Sequence, residues 1–450
     1  MQRNLRILSC ALVLLAAGCG GDSSLPEATG KGSIRTINAI PTSPEINFLI
    51  EEQTLSNVNY QGATNPVEYD DLNYTFNFEV FYAGETALRR IASRNVDIVA
   101  NRDYTFLLSG TVASPTLTLW EDDERTFDST DTVFAAKFAH ASASLGELDY
   151  YFADTAVVPA LGNQAATLTF GEIAVAADFA GGDYVLTITT AGDPADVVYT
   201  SATTTFGARD TYLLTAFDGD ASDTAPVMVS RFGKASGSGQ LPDVNFPPTV
   251  QFINASMDLG AVDIYNDEML TSLVVADHDF KDVEAEVDLI VGTNTFYYTP
   301  AGDTSAVLIE TPLIGFGGLR YRAIVVGAAG NPVSLPFLPD LRSIETGARI
   351  SPFQTSNNYG FVDIYAVEPG TSIDDVLPIR AALVSGIAST SGVLPPGTYE
   401  LYVTETLAKD VLAGPYVINV VAGDVVDLVI VDTVDPTVLD VLFLSGGPSP

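Results

Sequence analysis

Residues 254–265 read NASMDLGAVDIY, and residues 140–151 read HASASLGELDYY. In both, a polar residue followed by Ala-Ser is answered nine places later by an Asp inside a short apolar–polar alternation. The spacing recurs as Asn38-Ala39-Ile40 with Asn47, and as Gln354-Thr355-Ser356 with Asp363. Successive copies start 102, 114 and 100 residues apart. Self-similarity at a nearly fixed period means that one structural unit is used four times.

The later part of each unit has a period of two. In 182–192, GDYVLTITTAG, Tyr184, Leu186 and Ile188 share one face. Tyr399, Leu401 and Val403 do so in GTYELYVTE, and Tyr74, Phe76, Phe78 and Val80 in the first unit. Such alternation marks half-buried strands. A further strand closes each unit, at Tyr104–Leu108, Tyr212–Ala216, Tyr321–Val326 and Val425–Val431. Helical periodicity is scarce, whereas Gly (37), Pro (25) and β-branched runs are abundant. Short strands between regular turn signals predict an all-β chain of tandem Ig-like antiparallel β-sandwiches. The expected boundaries are 32–128, 129–232, 249–345 and 346–447, with a Gly/Ser/Pro linker at 233–248 separating two pairs of units strung along the chain.

Residues 1–19, MQRNLRILSCALVLLAAGC, place two arginines before an apolar run too short to span a bilayer. This is a secretory signal, and its end, Leu15-Ala16-Ala17-Gly18-Cys19, resembles a bacterial lipobox. The resemblance implies removal of 1–18 and lipidation of Cys19, with several acyl chains giving stable anchoring. Cys10 falls in the removed segment, which excludes a disulfide within the mature chain. Gly20, where Asp would signal inner-membrane retention, points by the same resemblance to the outer membrane of a Gram-negative bacterium, facing the periplasm or the surface. Residues 19–31 are the lipidated cysteine and a flexible tether.

The chain carries 57 Asp+Glu against 20 Lys+Arg, a formal net charge of -37. Such a polyanion repels nucleic acid and anionic lipid headgroups, and no nucleic-acid partner is expected. Its expected partners are the membrane, through the anchor, and a protein or glycan ligand.

The runs FAHASASLGELDYYFADT and FINASMDLGAVDIYNDE, with the strand GDYVL after the first of them, resemble the bacterial domain of unknown function 4397 family. Units of that family open on a V-H-A-S-P-D-A-P-x-V-D-V-Y-like run. The third unit is most similar and the second nearly so. The fourth keeps Val362-Asp363-Ile364-Tyr365, and the first, with Ile46-Asn47-Phe48, diverges most. The resemblance implies a secreted or lipid-anchored bacterial β-sandwich protein and lends no catalytic residues.

Asn47, Asp149, Asp263 and Asp363 are read as a structural motif, each an acceptor for N–H groups of its own preceding loop. Asn47 retains an acceptor oxygen without the charge, so Asp263→Asn is expected to be mild. His140 aligns with Asn38, Asn254 and Gln354, which implies hydrogen bonding. His278 sits among Asp277, Asp279 and Asp282, a weak metal pattern. Asp218, Asp220, Ser222 and Asp223 present oxygens at the spacing of the first part of a calcium loop, without its Gly and distal Glu. Glu121–Glu124 reads as a solvated linker. No nucleophile–base pair, zinc motif or phosphate-cradling loop is present. The function expected is a non-catalytic envelope interaction or adhesion module. A calcium-dependent adhesin and a carboxylate-based enzyme acting on polysaccharide are the alternatives.

Overall fold

The computed structural model describes residues 27–154 and 158–445, so the signal, Cys19 and most of the tether lie outside the described residues. Unit 1 holds β1 (Lys31–Asn38), β2 (Ile46–Ile50), β3 (Gln53–Val58), β4 (Val67–Asp70), β5 (Asn73–Val80), β6 (Arg89–Asp97), β7 (Arg102–Gly110) and β8 (Pro115–Asp123). Unit 2 holds β9 (Val133–His140), β10 (Leu148–Ala153), β11 (Ala166–Leu168), β12 (Ala177–Ala180), β13 (Gly182–Thr190), β14 (Val197–Thr200), β15 (Thr204–Phe206), β16 (Thr211–Asp218), β17 (Val227–Gly233) and β18 (Ser238–Leu241). Unit 3 holds β19 (Thr249–Asn254), β20 (Val262–Tyr265), β21 (Leu273–His278), β22 (Val287–Asp288), β23 (Gly292–Pro300), β24 (Ile309–Gly315), β25 (Arg320–Val326) and β26 (Val333–Phe337). Unit 4 holds β27 (Ala348–Gln354), β28 (Phe361–Val367), β29 (Arg380–Val384), β30 (Gly392–Leu394), β31 (Gly397–Glu405), β32 (Val411–Val420), β33 (Val425–Asp432) and β34 (Leu439–Ser445). Among the described residues there is no helix.

Each unit is a two-sheet sandwich of one topology. In unit 1 the sheets run β4-β1-β7-β8 and β3-β2-β5-β6, and units 3 and 4 repeat this order strand for strand. Unit 2 extends its first sheet with β18 and adds β15 beside β13. The alternation read from sequence faces the cores: Phe76 and Phe78, Leu186 and Ile188, and Leu401 and Val403 are buried between their sheets. One feature departs from a purely antiparallel sandwich. The opening strand of each unit pairs in parallel with a late strand of the same unit: β1 with β7, β9 with β16, β19 with β25 and β27 with β33.

One expected boundary and one expected linker are corrected. Residues 238–241, assigned to the linker, form β18 and pair with β17 because their backbone completes the edge of the unit 2 sheet. Glu121–Asp123 belongs to β8, and Asp122 and Glu124 reach cations of unit 2, Lys137 at 2.8 Å and Lys234 at 2.7 Å.

The units are not strung out. Units 1 and 2 press their first sheets face to face, burying Ile37, Leu107 and Trp120 against Leu213, Phe217 and Phe232. Units 3 and 4 do the same with Ile253, Ile324 and Val326 against Phe353, Val429 and Val431. This is why the parallel-paired strands are buried on both faces: every residue of β1 after Lys31 and every residue of β9 after Val133 is buried. Fully burying one such side chain is worth about 1.5–3 kcal/mol. Arg35 donates to the carbonyls of Phe232 (3.1 Å) and Gly233 (3.2 Å), and Lys234 also reaches Asp103 at 2.6 Å. Burial pulls the Arg35 guanidinium down to about 10, still charged at neutral pH. In the second pair Arg322 meets Asp427, and Lys281 meets Asp440 at 2.5 Å.

Phe217→Ala is expected to cost about 3–5 kcal/mol, as much as a phenylalanine deep in a single sandwich. In calorimetry units 1 and 2 of the wild type are expected to melt as one transition; separate transitions for the two would contradict the fused interface.

Candidate functional site

The repeated motif builds one lock in every unit and a second in units 2, 3 and 4. The first is the polar residue that ends the opening strand. Asn38 Oδ1 accepts the N–H of Ile40 at 3.0 Å, Asn254 Oδ1 that of Ser256 at 3.0 Å, and Gln354 Oε1 that of Ser356 at 2.5 Å. Each amide NH2 then donates into a loop, to Ser43 Oγ, His278 O or Tyr359 O. His140 performs both parts with its ring: Nδ1 accepts from Ser142 N–H at 3.3 Å, and Nε2 lies 2.7 Å from Gly146 O. That pattern requires a neutral ring with its proton on Nε2, and burial, which holds the imidazole pKa below its usual value, favours it.

The second lock is the motif carboxylate. Asp263 Oδ1 accepts from Asp277 N–H (2.9 Å) and Oδ2 from Gly302 N–H (2.8 Å). Asp149 takes Thr167 Oγ1 (2.5 Å) and Gly192 N–H (2.9 Å), and Asp363 takes Ala382 N–H (2.7 Å) and Thr406 Oγ1 (2.8 Å). The partners lie on the adjacent strand and on the hairpin turn following β13, β23 or β31, not in the preceding loop as read from sequence. The turn's Gly192 and Gly302, at φ 76° and 72°, supply the left-handed backbone that brings their N–H groups in. The sequence signal was present in TTAGD and TPAGD, 189–193 and 299–303.

The expected calcium loop takes another role. Asp218 spends both oxygens on the motif loop of its own unit, accepting from Ser142 Oγ, Ala143 N–H (2.9 Å) and Ser144 Oγ (2.5 Å). Asp432 caps Ser356 and Asn357 likewise in unit 4. Asp220 Oδ1 accepts from Ser222 N–H, while Asp223 Oδ2 accepts from Asp220 N–H (2.9 Å) and Gln61 Nε2 (3.1 Å). The three carboxylates do not converge. Among the described residues the one cluster of three metal-ligating side chains is His278, Asp282 and Glu284. There Nδ1 of His278 lies 2.8 Å from Glu284 Oε1, and the buried Nε2 has no partner among the described residues. With its proton on Nδ1, the ring donates to Glu284, which accounts for the short contact. Asp277 and Asp279, the neighbours named from sequence, stand outside the cluster.

The loop 218–224 is where the two pairs of units meet. Tyr60 OH (2.7 Å) and Gln61 Nε2 (3.0 Å) of unit 1 donate to Asp218 O. Arg320 of unit 3 donates to Asp223 O at 3.0 Å, and Leu341 N–H to Ser222 Oγ at 2.9 Å. Arg342 reaches Asp340 at 3.3 Å and Asp220 at 3.9 Å, and Asp340 also pairs with Arg349 of unit 4. Burial, reinforced by Asp220, pushes the Asp223 carboxyl up to about 6, and burial alone pushes Asp243 nearby to about 6.

Beside this joint runs a groove of about 630 Å3 between units 1 and 4. Unit 1 lines it with Glu45, Asn47, Asn59, Phe81 and Leu88, the connector with Asp340 and Arg342, and unit 4 with Arg349, Ser389 and Thr390. Asn47 is the motif position that departs from Asp. Its hairpin turn, after β5, does not fold back onto it. That turn docks instead on unit 4, with Ala83 N–H donating to Thr346 O at 3.0 Å. Asn47 keeps only a long contact, Nδ2 to Glu79 O at 3.5 Å. Arg342 Nη1 and Arg349 Nε, both buried, have no acceptor among the described residues.

Because each oxygen of Asp263 takes its own N–H, an amide at this position sets an NH2 against one donor. Asp263→Asn and Asp263→Ala are both expected to lower the stability of unit 3 by about 1–3 kcal/mol in denaturant melts, against the mild effect expected from sequence. The folded-state carboxyl of Asp223 titrates about two units above the unfolded reference of 3.8, so its ionisation costs stability as pH rises from about 4 through 6. Asp223→Asn keeps an acceptor for both donors; it should stabilise the protein by up to about 3 kcal/mol at pH 8 and by less than about 1 kcal/mol at pH 4.

A family model described as Domain of unknown function (DUF4397) matches residues 32–151, which cover unit 1 and the opening motif of unit 2. The match thus falls on the unit whose motif diverges most. No curated protein matches the chain. Among solved structures, the Bacillus anthracis TIE protein aligns at 12% identity over 90% of this chain and 69% of its own, with a TM-score of 0.16, too loose a superposition to carry an argument. Residues 32–151 resemble the domain of unknown function 4397 family, and the strand order of that first unit recurs in units 3 and 4.

Proposed function

We propose that the chain is a lipid-anchored, non-catalytic interaction module of the bacterial cell envelope that engages its partner in the groove between units 1 and 4. The anchoring half of the reading rests on the lipobox-like Leu15–Cys19 and the tether after it. The binding half rests on one observation: where unit 1 abandons the motif carboxylate, the freed Asn47 lines a cleft together with Asp340, Arg342 and Arg349. Elsewhere Asp149, Asp263 and Asp363 are each held by two donors, as structural acceptors are. A cleft of this size lies within the range of ligand sites, roughly 300–1,000 Å3.

Two measurements test the reading. Metabolic lipid labelling should mark the wild type and spare Cys19→Ala; an unlabelled wild type removes the anchor. The full-length protein should bind isolated cell envelopes, with Phe81→Ala reducing binding at least tenfold at unchanged melting temperature. Undiminished binding by that variant places the partner outside the groove.

A further inference from the structure

We infer that the groove between units 1 and 4 binds a neutral oligosaccharide, an inference that rests on the proposed binding role and names its ligand class. The groove offers donors and acceptors side by side. Asn47 and Asn59 carry amides, Ser389 and Thr390 hydroxyls, and Asp340 stands between Arg342 and Arg349. Adjacent sugar hydroxyls each donate and accept, and planar amides or an arginine–carboxylate pair match two of them at once. Phe81, 40% exposed, and Leu88, 40% exposed, give the apolar surface on which the C–H face of a pyranose packs.

Charge selects neutral over acidic sugars. The two arginines are offset by Asp340 and Glu45 in the groove and by Asp220 behind Arg342, so no positive field recruits an anion. The net charge of -37 repels anionic polysaccharide further. The tyrosines and the one tryptophan do not supply the platform: Trp120 is buried between units 1 and 2, donating to Gly171 O at 3.0 Å.

The test is calorimetric titration of the full-length protein with gluco-, manno- and chito-oligosaccharides and, separately, with polygalacturonate. At least one neutral series should bind. Phe81→Ala and Asn59→Ala should each weaken it tenfold or more, while Leu407→Ala, a fully exposed hairpin tip of unit 4, leaves it unchanged. Melting curves for each variant separate loss of ligand from loss of fold. No binding by any neutral series, binding confined to polygalacturonate, or neutral binding that survives both groove substitutions overturns the inference. Envelope binding that resists periodate oxidation of glycans yet is lost in Phe81→Ala overturns the sugar and leaves the binding role standing, because the groove then takes a protein.

Discussion

The architecture depends on burying a second face of the sheet that holds each opening strand. A sandwich needs only one apolar face per sheet, and its outer face belongs to water. Here the outer faces of β1 and β7 are closed by those of β9 and β16, through Ile37, Leu107, Phe217 and their neighbours. The same contact joins units 3 and 4. Two four-layered bodies result, and the contacts at 218–224 and between Ala83 and Thr346 hold them against each other beside the groove.

Electrostatics follow the same plan. The chain has only 20 Lys and Arg to set against 57 acids, and it spends a disproportionate share between units. Arg35, Lys137 and Lys234 bridge units 1 and 2; Lys281 and Arg322 bridge units 3 and 4; Arg320, Arg342 and Arg349 hold the joint. A strongly anionic surface keeps the outside soluble, while the scarce cations cancel carboxylates where repulsion would otherwise push units apart. The joint still contains ionised groups that burial disfavours, Asp223 above all, and therefore tightens rather than loosens on mild acidification.

The motif locks explain why the repeat is recognisable and where it fails. A carboxylate with two donors, one on the neighbouring strand and one on a hairpin turn, ties three segments together in units 2, 3 and 4. In unit 1 the hairpin turn is recruited by unit 4, the second donor is gone, and Asn replaces Asp. The divergence that sets the first copy apart in sequence is thus the trace of an inter-unit contact.

The sequence by itself determined the four units, their strand-rich character and the faces that make each core, because strand periodicity and repeat spacing are local. It also marked His140, Asn254 and Gln354 as hydrogen-bonding positions, since residues sharing only donor and acceptor capacity can substitute at one site. Only the tertiary structure decided that the units pair face to face, that Glu121–Asp123 is strand and clamp rather than linker, that 238–241 is a fifth strand, and that Asp218–Asp223 makes the joint between the two pairs. The continuous apolar runs TYLLTAF and RYRAIVV carried a hint of the pairing, for a strand buried on both faces does not alternate. Which surface covers that second face, and which donors meet a given carboxylate, depends on residues tens to hundreds of positions away. No local pattern can specify partners so distant.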